Sequence, residues 1–410
     1  MSGRQFPEEG PRFSRAQIRS ARIATTAVFG FHGVALAQWF LRIPDVKIQA
    51  GLDDGQLGLA LLGGAMGSVP AMPIAGALTA RFGSTRVTAG IAVMFMLLFG
   101  LPSFATSQWI LFGALMLFGV AVGGIDVAFN NQASEVEEHH GAPLMSGFHG
   151  SWSLFSLVGT LIAAPVMAMG ISPEVHLTVT GLLAGGAIFV TTHWFLPSAP
   201  RHAEATRSVA RLTPALLALG AIAGLSLLVE GAVADWSGIF LRTTLEMTPA
   251  SAGLAFGAFS VTMATARLLG DRVAARFDPR TVLASGAVLS GLGVLTAVAI
   301  PNPVLAVGGF ALCGIGIGTI FPIALSAASR LPGQTPGAAI AAVATMGYAG
   351  FLAGPPLIGG VSRAFSLAVG FGVAIVASAV MFLLTRLIPK ARTAIVEVPP
   401  VGVEASTASN

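Results

Sequence analysis

Charged residues are scarce in this chain of 410 residues. Lys and Arg number 22 and Asp and Glu 18, so 10% of the sequence is charged, whereas soluble domains carry about 25%. Apolar residues make up 54%, and they recur in long runs that a single core could not bury. The composition therefore excludes an ordinary soluble fold and indicates a membrane protein.

Cysteine is almost absent, since Cys313 is the only one. An intrachain disulfide, a zinc cluster and an iron–sulfur site are therefore excluded. The sequence also lacks a Walker motif, a nucleophile elbow and an HExxH pattern, and its basic residues form no stripe with interleaved aromatics. The stretch EVEEHHG at 135–141 is interpreted as a short hydrophilic loop without regular ligand spacing. We expect no enzyme, no cofactor, no metal site and no nucleic-acid partner.

Twelve long apolar runs predict an all-α membrane protein with twelve transmembrane helices, because about 20 helical residues cross a bilayer core. The first run is too long for a signal peptide and is expected to remain as a helix. The predicted spans are 22–43, 55–80, 87–106, 109–133, 144–169, 174–196, 213–241, 250–274, 281–300, 303–328, 336–361 and 365–388.

The distribution of basic residues predicts the orientation. Of the 22 Lys and Arg, 17 fall on the side of the N-terminus, Arg267 lies within a span, and four fall on the opposite side, namely Arg42, Lys47, Arg242 and Arg363. Cytoplasmic loops are enriched in Lys and Arg. We therefore predict a multi-pass protein of the cell (inner) membrane, with both termini in the cytoplasm.

An internal repeat divides the spans into two groups of six. A shift of 195 positions aligns LFGVAVGGI at 117–125 with LCGIGIGTI at 312–320, and it also aligns RF at 81–82 and GLA at 58–60 with identical segments. Such a match indicates a duplicated unit. The predicted organisation is a tail at 1–21, a half at 22–196, a linker at 197–212, a half at 213–388 and a tail at 389–410.

Two parallel six-helix halves resemble the major facilitator superfamily. The segment GALTARFGSTR at 76–86 is similar to the family's loop between helices two and three, and this resemblance makes Arg81 and Arg86 gating candidates. Ala80 departs from the family, which usually has an acidic residue at this position. The family's charge relay is therefore altered here.

Three further segments resemble a narrower group. DVAFNN at 126–131 is similar to the Glu-x-Ala-x-Asn segment of fucose-permease-like symporters, while MSGFHGSWS at 145–153 and EGAVADWS at 230–237 are similar to the YbjJ/MosC-like inner-membrane group. The resemblance implies alternating access and a proton-coupled, sugar-like or polyol substrate. The acidic residue of helix one in fucose permease has no counterpart in this chain.

Ionisable residues inside spans are candidates for function, because a carboxylate at the bilayer centre costs about 2.5–3.5 kcal/mol. Asp126 and Asn130 lie four residues apart and share one helix face. The repeat places Phe321 opposite Asp126, so the fold does not require this carboxylate in both halves. We expect Asp126 to bind substrate with Asn130 and to take part in proton coupling. The alternative is a carboxylate that only pairs with a neighbouring helix.

Two carboxylates belong to the seventh span. Glu230 is expected to gain and lose a proton during transport, since a charged carboxylate is unfavourable in an apolar environment. Gly231 follows it, and the helix is expected to open locally there to line a cavity. Asp235 is a second candidate for proton coupling; the alternative is a carboxylate at the helix end that contacts water.

Polar and aromatic residues of the first and fifth spans complete a predicted pocket for a small polar molecule. His32 is assigned to proton coupling, although a buried histidine can equally serve as an interhelical hydrogen-bond partner. The remaining candidates for substrate binding are His149, Trp152, Gln38 and Trp39.

Four further charged residues are predicted to act in gating. Arg267 precedes Asp271 by four residues, so an intrahelical ion pair near the cytoplasmic end is available. The repeat aligns Glu135 with Arg330, and we hypothesise that these two pair when the cytoplasmic side is closed. Unchanged transport rates in both single mutants would contradict that pairing.

The leading hypothesis is a monomeric secondary transporter that uses a proton to move a small polar solute across the lipid bilayer. A proton-driven efflux antiporter for amphipathic compounds is the first alternative. Two further alternatives stay open. One is a facilitator without coupling, and the other is a membrane sensor or assembly component that keeps the fold without transport. The polar residues at 126–152 argue against a purely apolar cavity.

Overall fold

The computed structural model describes residues 13–141, 144–197, 211–334 and 336–389. Most of the two predicted tails and of the predicted linker lies outside these residues. Over the part that is described, the chain is helical and contains no strand.

Twelve helical segments follow one another, and three of them contain a short interruption. They are α1 (Arg15–Gln49), α2 (Asp54–Phe82), α3 (Ser84–Leu98), α4 (Gln108–His140), α5 (Met145–Ala168), α6 (Pro173–Thr191), α7 (Pro214–Thr243), α8 (Pro249–Ala252 and Leu254–Arg276), α9 (Pro279–Ala299), α10 (Pro303–Ile317 and Ile320–Ser329), α11 (Pro336–Ala364) and α12 (Leu367–Gly370 and Gly372–Leu384). Among the described residues, 11 helices are long and apolar enough to span a membrane. The 29-residue α11 occupies the remaining predicted span, and the predicted fold class is confirmed.

The end of α4 corrects an expectation from the sequence. The stretch 135–141 is not a loop, because α4 continues through it to His140 and ends at Gly141, whose φ of 75° is left-handed. Glu137 connects this last part of α4 to the next helix: its carboxylate accepts hydrogen bonds from the backbone N–H groups of Leu144 and Met145, at 2.6 and 2.7 Å. The polar residues of this stretch thus connect α4 to the start of α5.

The expected opening of α7 at Gly231 is also wrong. The helix is continuous through this residue, and a Cβ at Gly231 would lie 3.2 Å from the ring of Phe351 on α11. The glycine therefore permits close helix packing. One of the three interruptions, that of α10 at Gly318 and Thr319, lies within the aligned repeat segment.

The internal repeat is reproduced in the helix contacts. In the N-terminal half, Gly123 of α4 packs against Ser68 of α2, where an added Cβ would lie 2.6 Å from the Ser68 Cβ. In the C-terminal half, Gly318 packs against the backbone of Met263 on α8, with the corresponding distance 2.8 Å. The 195-residue shift relates Gly123 to Gly318 and Ser68 to Met263, so the two contacts are equivalent. The two halves therefore share a common packing scheme.

The halves meet through three helix pairs: α1 with α7, α2 with α11, and α5 with α8. We call the end of the bundle where α1 begins and α12 ends the terminal end, and the opposite end the far end. At the far end, a Cβ on Gly58 of α2 would lie 2.5 Å from the carbonyl oxygen of Pro355 on α11. The absence of a side chain at Gly58 thus permits close contact between the halves.

Candidate functional site

An ion pair joins α7 and α8. Nη2 of Arg267 lies 2.9 Å from Oε2 and 3.2 Å from Oε1 of Glu230, and Nε donates to the carbonyl oxygen of Gly318 at 3.4 Å. That carbonyl lies at the break in α10, where the backbone has left the regular helix. Arg267 therefore connects three helices of the C-terminal half.

The ion-pair partner of Arg267 differs from the sequence-based expectation. Arg267 was expected to form an ion pair along its own helix with Asp271, but the structure gives it Glu230 as partner. The side chain of Asp271 lies outside the described residues. Spacing along one helix identifies neighbours on that helix alone, so the partner on α7 was not visible in the sequence.

Asp126 and Asn130 form a hydrogen-bonded pair on α4. The side-chain amide of Asn130 donates to the backbone oxygen of Asp126 at 2.8 Å and to its carboxylate at 3.3 Å. Both side chains are partly buried. The predicted pair is thus present, with further lone pairs of the carboxylate available to a ligand.

His149 and Tyr348 lie within electrostatic range of these two pairs. His149 of α5 interacts with the charge of Arg267, and Tyr348 of α11 interacts with the charges of both Asp126 and Glu230. The His149 ring also lies edge-on to Phe29 at 5.1 Å. We call the six residues of this region, drawn from both halves, the central cluster: Asp126, Asn130, His149, Glu230, Arg267 and Tyr348.

Tyr348 was not among the residues chosen from the sequence. It is the only tyrosine in the chain and is 39% exposed although it lies within α11. A single hydroxyl-bearing aromatic in an apolar span was the signal that could have identified it.

His32 lies behind the cluster in a buried hydrogen bond. Its Nδ1 accepts from the indole N–H of Trp152 at 3.0 Å, and its ring contacts those of Phe95 and Phe129. Its Nε2 is buried without a hydrogen-bond partner in the described part of the chain. The structure therefore gives His32 the interhelical role that the sequence left open as an alternative, and its role in proton coupling stays a prediction.

Gln38 and Trp39 are not brought to the cluster. The amide of Gln38 donates to the carbonyl oxygen of Gly159 at 2.7 Å, joining α1 to α5. Trp39 is buried and packs on Phe118 with ring centroids 5.5 Å apart. Both lie in the core of the N-terminal half.

Asp235 is more deeply buried than a carboxylate at a helix end that contacts water. Its residue exposure is 8%, and within the described ranges its carboxylate has no hydrogen-bond or ion-pair partner. Trp236 Nε1 and Ser237 Oγ are also buried and unpaired. Successive helical residues point about 100° apart, so these three groups do not form one site.

The remaining gating candidates lie at the terminal end. Arg81 lies over the ring of Phe82 at 5.1 Å, and Arg86 and Arg330 are exposed. Glu135 accepts a hydrogen bond from Ser84 at 3.3 Å. The proposed pairing of Glu135 with Arg330 stays a prediction for the state closed at this end.

The far end contains a set of charges that the sequence analysis did not assign to function. All four basic residues predicted to lie outside form ion pairs there: Arg42 with Asp45, Lys47 with Asp54, Arg242 with Asp45, and Arg363 with Asp53. Two of these pairs, Asp45–Arg242 and Asp53–Arg363, join the N-terminal half to the C-terminal half. Each of the four basic residues at the far end is thus paired with an acidic residue.

Comparison with known proteins identifies the class. Two six-helix halves around a polar cluster form the architecture of secondary transporters, and residues 219–405 match the profile of the Major Facilitator Superfamily. An uncharacterized MFS-type transporter of Yersinia pestis is 33% identical over 353 residues, which cover 86% of this chain and 92% of the relative. Membrane protein MosC of Rhizobium meliloti is 30% identical over 378 residues, which cover 88% of this chain and 90% of MosC.

The chain therefore belongs to the Major Facilitator Superfamily, and the resemblance predicted from the sequence is confirmed. Solved structures agree on the fold. A mutant of the nucleoside transporter NupG superposes with a TM-score of 0.73 at 12% identity, covering 91% of this chain and 98% of NupG. A bacterial homologue of the lysosomal transporter Spinster, inward-facing and unoccupied, gives 0.68 at 13% identity, covering 92% and 98%.

Proposed function

We propose that this membrane transporter moves a small polar, sugar- or polyol-like solute across the inner membrane by alternating access, coupled to protons. The observation that carries this proposal is the position of the Glu230–Arg267 ion pair. It joins two helices of the C-terminal half, and Tyr348 of α11 lies within electrostatic range of both Glu230 and Asp126 of the other half. A solute held between these groups would contact both halves.

Proton coupling follows from the cost of charge in a low-dielectric site. The Arg267 guanidinium offsets part of the cost of a charge on Glu230, and neutralising Glu230 would free Arg267 to contact another group. Asp126 has only the Asn130 amide as its described side-chain partner. Proton exchange at these two carboxylates would therefore change the charge presented to the solute and bias which end is open.

The hydrogen-bonding side chains of the central cluster favour a hydroxyl-rich solute. Asp126 accepts hydrogen bonds, Asn130 and His149 accept and donate, and the phenol of Tyr348 does both. A hydroxyl-rich solute can satisfy such groups in several directions. An amphipathic solute would leave most of them unpaired, at a cost of about 1–3 kcal/mol each.

The proposed orientation places the terminal end in the cytoplasm. Its support is the count of basic residues, of which 17 lie on the side of the N-terminus and four on the opposite side. The far-end ion pairs close the outer side, so the central cluster would be reached from the cytoplasm in this conformation.

A thermal-shift panel on the purified protein tests the proposal. Sugars, polyols, amino sugars and lipophilic cations are compared at about pH 5.5 and about pH 7.5, since a bound ligand stabilises the native state. Stabilisation by a sugar or polyol should disappear in Asp126→Asn, and its dependence on pH should disappear in Glu230→Gln. The exposed Glu246→Gln serves as the matched control. Stabilisation confined to lipophilic cations would instead support the efflux antiporter.

A further inference from the structure

Asp45 divides its carboxylate between two arginines from opposite halves. Oδ2 accepts from Nη1 of Arg42, one turn earlier on α1, at 2.7 Å, and Oδ1 accepts from Nη1 of Arg242 on α7. The side chain of Asp45 is 12% exposed and that of Arg242 21%. The far ends of α1 and α7 cannot separate without breaking the Asp45–Arg242 pair.

Arg42 is held from the opposite side by α6. Its Nε donates to Nδ1 of His176 at 2.8 Å, and its Nη2 donates to the carbonyl oxygen of Ile171 at 2.6 Å. Arg42 is 4% exposed and His176 6%, so the contact lies within the protein. Because Nδ1 accepts this hydrogen bond, the imidazole must be neutral in the closed arrangement.

We propose that Arg42, Asp45, Arg242 and His176 form a proton-sensitive latch at the far end, and that protonation of His176 releases it. A protonated imidazole has no lone pair with which to accept from Arg42, and it places a second positive charge beside the guanidinium. This proposal rests on alternating access as proposed above, and it assigns the opening of one gate to a group outside the central cluster.

The sign of the effect follows from the charges that surround His176. His176 faces Arg42 and Asp45 of α1. Glu174, on the same helix as His176, also interacts with Arg42. Arg242 of α7 is paired with Asp45. The far-end part of α3 (92–98) and the segment 99–107, which also pack against α6, contain no charged residue. Arg42, Asp45 and neutral His176 together carry no net charge, and protonation of His176 gives this group a charge of about +1. The charge of Glu174 is the same in both states. The electrostatic attraction between the group and Arg242 therefore becomes weaker when His176 is protonated.

A far-end pocket reaches three of the four latch residues, Arg42, Asp45 and Arg242, and His176 lies behind Arg42. It has a volume of about 340 Å³, and its lining includes Arg42, Asp45, Gln49, Ser172 and Arg242, from both halves. Water in this pocket would reach the ion pairs directly. If the far end faces the outside, acid on the outside would open the outer gate.

The experiment measures the distance across the far end in the absence of any solute. Spin labels are placed at Thr106→Cys and Thr244→Cys, which are exposed positions on opposite halves, with the buried Cys313 changed to serine. Pulsed electron paramagnetic resonance in lipid nanodiscs then gives distance distributions over a pH series from about 7.5 to about 3.5, because burial and the Arg42 charge both disfavour a protonated His176. Otherwise unmodified protein should shift toward longer distances as the pH falls.

Two variants test the assignment of residues. His176→Asn keeps a neutral acceptor near the position of Nδ1, so it should remain at the short distance throughout the series. Asp45→Asn should give the long distance at every pH. The control His193→Asn changes an exposed histidine just beyond the other end of α6 and should behave like the parent protein.

Three outcomes would overturn the latch: no shift in the parent protein, a shift that persists in His176→Asn, or short distances in Asp45→Asn. Size-exclusion profiles verify that each variant is folded. Failure of the proposed function is a separate result. If the protein transports no solute but shows this pH response, the latch proposal stands and the proposed function fails. If the protein transports a solute but shows no pH response, only the latch proposal fails.

Discussion

Arg267 and Glu230 come from consecutive spans, α8 and α7, and meet with 2.9 Å between Nη2 and Oε2, while the same guanidinium contacts the broken backbone of α10 at Gly318. The side chains are 26% and 21% exposed, so this pair is partly desolvated. Breaking a buried ion pair leaves an uncompensated charge, whereas removing both charges does not. This asymmetry can be measured.

A double-mutant cycle tests the coupling of the two charges. Arg267→Gln should destabilise the protein by less than the about 3–5 kcal/mol typical of a fully buried pair, because about a quarter of each side chain is exposed. Adding Glu230→Gln to it should restore part of the loss. Thermal unfolding in detergent gives the comparison; additive effects of the two substitutions would contradict the coupling.

The His32–Trp152 hydrogen bond supports the wall of the cluster. Trp152→Phe removes the indole N–H, so both nitrogens of the buried His32 would lack a partner in the described structure. We expect a loss of about 1–3 kcal/mol, seen as a lower unfolding temperature. Trp109→Phe is the control, because Trp109 is 71% exposed. Equal losses in the two variants would argue against the hydrogen bond as the cause.

The sequence contained much of the fold and less of the site. Apolar runs and the 195-residue shift predicted the helices and their division, because hydropathy and duplication are local or periodic signals. Asp126 and Asn130 were found together because they share a helix face. The partner of Arg267 lies on another helix, and Trp39 has a polar group yet packs in the core. Such contacts between helices have no signature in spacing along the chain.

Gly58 tests the closure of the far end independently of charge. An alanine there would place its Cβ 2.5 Å from the carbonyl oxygen of Pro355 and 3.1 Å from Cα of Gly359, so α2 and α11 would have to separate. We expect Gly58→Ala to lengthen the Thr106–Thr244 distance at neutral pH. Gly64→Ala on the same helix meets only an ordinary contact at 3.9 Å and should leave the distance unchanged. An unaltered distance in Gly58→Ala would show that this approach does not hold the far end closed.

The orientation can be tested by chemical labelling. In a Cys313→Ser background, a membrane-impermeant thiol reagent should label Thr106→Cys in intact cells, because this exposed residue is at the far end. It should label His193→Cys at the terminal end only after the membrane is opened, as the positive-inside distribution requires. The reverse pattern would place both termini outside.

Transport in proteoliposomes tests the central claim most directly, using the solute that gives the largest stabilisation in the thermal-shift panel. A gradient of one pH unit is worth about 1.4 kcal/mol, so one coupled proton can drive about tenfold accumulation. We predict accumulation that follows the gradient, disappears with a protonophore and is lost in Glu230→Gln but retained in Glu246→Gln. Equilibration to equal concentrations, whatever the pH gradient, would contradict proton coupling and leave a facilitator.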